Sequence, residues 1–192
     1  MKISVGRASV LVVLAFLAGC AALSTGRDQY RDATMDFASV KTVAVLPLVN
    51  LSRDSGAADR VRDVLANSLL ATGGIYVLPP GEVARGIFRA GIMNASAPSV
   101  EEVQKLATII KVNAVIVGTL KEYGDMRSGS ASANVISLSL QMIETQTGKV
   151  VWSASTTKGG ITVWDRLFGG GGKPMEETTE KAINDLIEML FK

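Results

Sequence analysis

The sequence predicts an α/β fold: a single domain whose mixed β-sheet carries an antiparallel hairpin in the C-terminal half and is packed by amphipathic helices. Three observations predict it. Near-continuous apolar runs at 42–49 and 114–120 read as strands buried on both faces. Between and after them lie stretches with the 3.6-residue apolar period of surface helices. In the second half, residues 133–140 alternate in polarity and are joined to a second run at 149–156 by Thr145-Gln146-Thr147-Gly148, the signature of a hairpin.

In chain order, the first run (Thr42-Val-Ala-Val-Leu-Pro-Leu-Val49) is read as the central strand, with Pro47 near its end because proline cannot donate to a ladder. Residues 57–71 follow as a helix with Val61, Val64, Leu65, Ser68 and Leu69 on one stripe. Gly73-Gly74 stops it, residues 75–78 form a short strand, and Pro79-Pro80-Gly81 opens a helix that runs to about Ala90. Ser99 with Glu102 three residues on is a capping box, and the helix it starts turns Val103, Leu106, Ile109 and Ile110 inward. The last helix, 174–191, buries Ala182, Ile183, Leu186, Ile187 and Leu190 and keeps Glu176 and Glu177 at its N-terminus, where the helix dipole favours them.

The N-terminus carries a different kind of signal. Lys2 and Arg7 precede an apolar stretch from Ala8 to Ala18, and small residues lead into Cys20. This is a secretory signal over residues 1–19, too short to span a bilayer comfortably. Leu17, Ala18 and Gly19 followed by Cys20 form a lipobox: the cysteine stands where a bacterial lipoprotein signal needs a thiol to receive a diacylglycerol before cleavage. Two or three acyl chains, at about 0.8 kcal/mol per buried methylene, anchor a chain firmly. Ala21, rather than aspartate, after the cysteine points to the outer membrane and a periplasm-facing domain. Residues 20–37 are small and polar and read as a lipidated flexible tether, leaving 38–192 as the folded domain.

Composition narrows the function. Lys2 and Arg7 account for the whole formal charge of +2, so without its signal the chain is neutral and has no basic stripe for nucleic acid. There are no histidines, and the single cysteine is the lipidation site. Ser-His-Asp and Cys-His systems, histidine bases and ordinary transition-metal sites are thereby excluded, and neither an enzyme nor a cofactor is expected. The pairs Glu101-Glu102 and Glu176-Glu177 sit about 100° apart in first helical turns and serve as caps. Gly169 to Pro174 lies before a helix but is no phosphate loop, since Leu167 stands where glycine is needed and Pro174 where a hydroxyl is. Beside these glycines, Trp164, Leu167 and Phe168 are candidate oligomer or partner contacts, because aromatic anchors dominate interfaces. The loops 50–59 and 124–132 are two further contact candidates.

Val43 to Asn50, Leu69-Leu70-Ala71, Ile75-Tyr76-Val77-Leu78-Pro79, Ala114 to Thr119 with Glu122-Tyr123-Gly124, and Glu144 to Trp152 together resemble the CsgG-like and PelC-like outer-membrane lipoproteins. The resemblance covers about residues 43–158. It implies a fold like the TolB N-terminal domain, attachment to the outer membrane through N-terminal acyl chains, homo-oligomers, and an accessory or assembly role with other envelope proteins in secretion or export. A more distant branch, the LpoB-like activators of peptidoglycan synthases, implies the alternative of synthase activation. A membrane barrel of the CsgG kind needs two extra hairpins per subunit, about 40–50 residues at 9–11 per strand, and the loops here do not hold them.

Overall fold

A computed structural model of the chain describes residues 29–128, 131–160 and 172–192. The strands among them are β1 (Gln29–Arg31), β2 (Thr42–Val45), β3 (Val49–Asn50), β4 (Tyr76–Val77), β5 (Ala114–Ser128), β6 (Ala131–Glu144) and β7 (Val150–Gly159). The helices are α1 (Ala57–Ala71), α2 (Pro80–Ala90), α3 (Val100–Ile110) and α4 (Met175–Phe191), with a 3-10 turn at Phe37–Ser39. All seven strands join one mixed sheet in the order β1-β7-β6-β5-β2-β4, and β3 also pairs with β5.

The sheet separates two cores. On one face, α1 and α4 close over Val43, Ile116, Leu138, Leu140, Met142 and Trp152. On the other, α2 and α3 cover Ala44, Leu46, Val115 and Val117. Alternate residues of β2 and β5 therefore enter opposite cores, so both faces of these strands are apolar, as their unbroken runs require. The helical stripes are those of the sequence, with Val61, Leu65 and Leu69 of α1 and Ala182, Ile183, Leu186 and Leu190 of α4 buried. The capping box of α3 is complete: Ser99 accepts from the Glu102 amide, and the Glu102 carboxylate accepts from the Ser99 amide.

Four expectations need correction. The run 42–49 is not one strand: β2 and β3 both pair parallel with β5, but Val45 stands opposite Ile116 and Val49 opposite Thr119. One extra residue bulges out around Pro47, which has no amide hydrogen to offer β5. Nor is β2 central, since only the two-residue β4 lies beyond it and β5 and β6 form the middle. The segment 124–132 is not a loop: β5 and β6 continue as a paired ribbon to Ser128 and Ala131, past a bulge between Leu120 and Glu122. Backbone pairing, and not an apolar pattern, defines that ribbon, so hydropathy gave no sign of it. Finally, residues 29–37 are not tether. β1 pairs antiparallel with β7, Gln29 Nε2 donates to the Met189 carbonyl at 2.8 Å, and Arg31 donates to the Leu190 carbonyl while stacking on Phe37 at 3.7 Å. Side-chain bonds to the last turn of α4 hold β1, a signal that hydropathy does not carry.

Two positions carry testable consequences. A Cβ on Gly86 would stand 2.2 Å from Ile110 Cγ2, so α2 and α3 approach as closely as they do only because α2 has no side chain there. Gly86→Val is expected to lower stability by about 1–3 kcal/mol, read from chemical denaturation. At the β6–β7 turn, burial pushes the Glu144 carboxyl up. Bonds from Thr147 Oγ1, the Thr147 amide and the Gln146 amide, at 2.6, 2.8 and 2.8 Å, outweigh it and hold the group below its ordinary value. Because the folded pKa is depressed, this stabilisation is fully present above the ordinary carboxylate range and is lost as pH falls through the folded value. Glu144→Gln should cost about 1 kcal/mol at neutral pH, and in melts across pH the gap to wild type should close only as pH falls below the ordinary carboxylate range.

Candidate functional site

At the carboxyl ends of the parallel strands β2, β3 and β5, the β3–α1 loop and the β5–β6 ribbon face each other across a groove of about 550 Å³. This is where open α/β sheets place their binding sites. The contact candidates at 50–59 and 124–132 thus meet, through Leu51 to Asp54 of the loop and Gly124 to Met126 of the ribbon.

The loop is held in shape by its own polar side chains. Asn50 Nδ2 donates to the Asp54 and Ser55 carbonyls at 2.8 and 3.3 Å, and Asn50 Oδ1 accepts from the Ser52 amide and hydroxyl at 3.0 and 2.7 Å. Asp54 accepts from the Gly56 amide at 3.0 Å and pairs with Arg60 in the first turn of α1. Arg60 in turn lies 5.5 Å above the Tyr123 ring of β5. The Tyr123 side chain, and then Asp54, favour the charged guanidinium and raise its pKa above the ordinary value. Asn50, Asp54, Arg60 and Tyr123 therefore tie loop, helix and ribbon into one wall, and leave Leu51 (65% exposed) and Met126 (42%) open to solvent.

Of the groove's acids, Asp54 pairs with Arg60 and Asp125 with Arg127 at 2.8 Å. Among the described residues, no group of three or more His, Cys, Asp or Glu could hold a metal ion. No described helix is long and apolar enough to cross a membrane. A second, more apolar cleft of about 260 Å³ lies at the opposite end of the sheet, between Phe37, Val40, Ile75, Leu190 and Phe191. The chain enters the fold beside it through β1. The lipobox residues Leu17, Ala18, Gly19 and Cys20 and the aromatic candidates Trp164, Leu167 and Phe168 lie outside the described residues.

Comparison with known proteins places this architecture. A family described as "Putative lipoprotein GNA1162-like" matches residues 31–162. The chain belongs to this family. Its match begins at Arg31, in the strand that the tether reading had left outside the fold. The GNA1162-like chain is 28% identical over 148 residues to "Putative lipoprotein NMB1124/NMB1162" of Neisseria meningitidis serogroup B, covering 73% of this chain and 67% of that protein. Among solved structures it is similar to lipoprotein GNA1162 from Neisseria meningitidis, with a TM-score of 0.56, 21% identity, and 79% and 98% of the two chains covered. It is also similar to a PelC dodecamer from Paraburkholderia phytofirmans, with a TM-score of 0.58, 18% identity, and 84% and 94% covered. At these identities the likeness speaks for the fold, and it agrees with the single α/β domain built on a mixed sheet.

Proposed function

We propose that this GNA1162-like lipoprotein is anchored in the outer membrane through acyl chains on Cys20, faces the periplasm, and acts without catalysis as an assembly or accessory subunit of an envelope export system. The observation that carries the reading is the coincidence of a lipoprotein-family match over 31–162 with Leu17-Ala18-Gly19-Cys20 at the N-terminus. In this reading residues 1–19 are the signal, 20–28 the tether, and the domain begins at β1. The wider relationship to CsgG-like proteins and the TolB N-terminal domain belongs to the same proposal.

Homo-oligomerisation is part of it, supported by the dodecameric state of PelC, a structural relative with this fold. The groove of Leu51, Tyr123 and Met126 is the proposed partner face, with an ordered polar wall and exposed apolar side chains beside it. The segment with Trp164, Leu167 and Phe168 is a second proposed contact. The test is crosslinking in intact cells followed by identification of what is captured, with Leu51→Asp and Met126→Asp as companions. Export or surface-assembly proteins, lost with the two substitutions, are the expected outcome. Capture of a peptidoglycan synthase would replace the export reading with synthase activation, and a chain that captures nothing from the envelope would remove both.

A further inference from the structure

The outer side of the helix pair α2–α3 carries a cluster of cations. Where the helices meet at Gly86 they leave a groove of about 190 Å³, to which α2 contributes Arg85 and Arg89 and α3 contributes its cap, Lys111. Glu82 is the one acid in its lining. All three cations are exposed, and among the described residues none of them pairs with an acid. The two helices are held by Val83, Gly86, Ala90, Val103 and Leu106, so their packing needs none of these charges. Arg85 and Arg89, four residues apart on one helix, even repel each other slightly.

Large apolar side chains stand beside the cluster. Phe88 lies three residues from Arg85 on the same side of α2 and is 86% exposed, and Met93, just past the Gly91 cap, is 96% exposed. Gly81 and Ala84 share that side, and they are too small to hold a flat surface away from Phe88. An aromatic ring and a thioether held in water and flanked by cations are the equipment of an interfacial helix, which sets its apolar side chains among acyl chains and its cations at the phosphates.

We infer that the outer side of α2 rests on an anionic lipid surface, that of the bilayer to which Cys20 is anchored. The charge of the cluster is complementary to such a surface, and the reach of the N-terminal segment brings the two together. From β1 to β4, the edge beside the α2 side of the sheet, is five strand spacings, or about 24 Å. The nine residues 20–28 span at most about 30 Å. A lipid on Cys20 therefore leaves α2 within reach of the same bilayer. Because the contact is then intramolecular, an attraction too weak to recruit a free domain is enough to orient a tethered one. The inference rests on the lipid-anchor reading above and deepens it, naming the side of the domain that faces the membrane.

The full lipidated chain, reconstituted in vesicles, tests it. With Cys20 acylated, Met93→Cys supplies a single thiol for an environment-sensitive fluorophore, and Asn184→Cys on the exposed side of α4, across the sheet, is the reference. In phosphatidylcholine vesicles containing phosphatidylglycerol, brominated acyl chains should quench the label at 93 at least about fivefold more than the label at 184, since apolar side chains of such a helix sit about 5–10 Å into the headgroup boundary. Phe88→Asp, the double substitution Arg85→Glu with Arg89→Glu, and vesicles of phosphatidylcholine alone should each remove the difference, with unchanged melting of the variants. Equal quenching at 93 and 184 while the protein stays on the vesicles would overturn this contact and leave the lipid anchor standing. Shielding of the label at 93 in cells but not in pure lipid would overturn it in favour of an acidic protein partner. A chain that carries no lipid by mass and leaves the vesicles would overturn the anchor as well.

Discussion

Cys20→Ser is expected to remove the protein from the outer-membrane fraction. In the proposed reading the sulfur carries the first two acyl chains, and each acyl methylene contributes about 0.8 kcal/mol of membrane affinity. Serine keeps the size and polarity of the side chain but gives the lipid-transferring step no thiol. Without lipid, the retained signal is not cut at the same bond, so a heavier chain is a second readout beside fractionation. β1 and the rest of the fold begin some ten residues later, and the melting of the folded part should be unaffected. A Cys20→Ser protein that stays with outer-membrane vesicles after a high-salt wash would show that the domain itself, and not the lipid, holds the surface.

Trp152→Ala is expected to cost about 3–5 kcal/mol, enough to leave a domain of this size marginal or unfolded at 37 °C. Trp152 of β7 is 1% exposed and packs among Leu65 and Leu69 of α1, Ile116 and Leu140 of the sheet, and Leu186 of α4. Removing the ring takes the floor from under both helices of that core at once. Trp152→Phe separates packing from hydrogen bonding. The buried Nε1 hydrogen has no partner among the described residues, so phenylalanine also removes an unsatisfied donor and should recover most of the loss. Urea denaturation of the two variants checks the order: alanine far below phenylalanine, phenylalanine near wild type. If phenylalanine proved as damaging as alanine, the indole nitrogen would have a partner in solution.

What hydropathy carries and what it does not can be seen by comparing α1 with the β5–β6 ribbon. For α1 the bounds 57–71 were legible because one apolar stripe, Val61 to Leu69, needs a core and a glycine pair stops it. The same holds for α3, whose start is written in Ser99 and Glu102. The outer half of β5 was invisible, because residues 121–128 are held by hydrogen bonds to β6 and bury little. The groove shared the problem: both of its segments were noticed for their composition, but nothing in either says that Tyr123 meets Arg60. Those contacts depend on the bulge between Leu120 and Glu122 and the pairing of β3 with β5, which are matters of register between distant segments.

By itself, the sequence determined the fold class, the order of the main helices and strands and the absence of histidine chemistry, because periodicity, residue type and short spacing are local and survive without coordinates. Only the tertiary structure decided that β1 belongs to the sheet, that Pro47 splits the first strand, and that two distant segments form one groove. These depend on which backbone groups find partners across the chain, and a strand's polarity pattern carries no record of its partner.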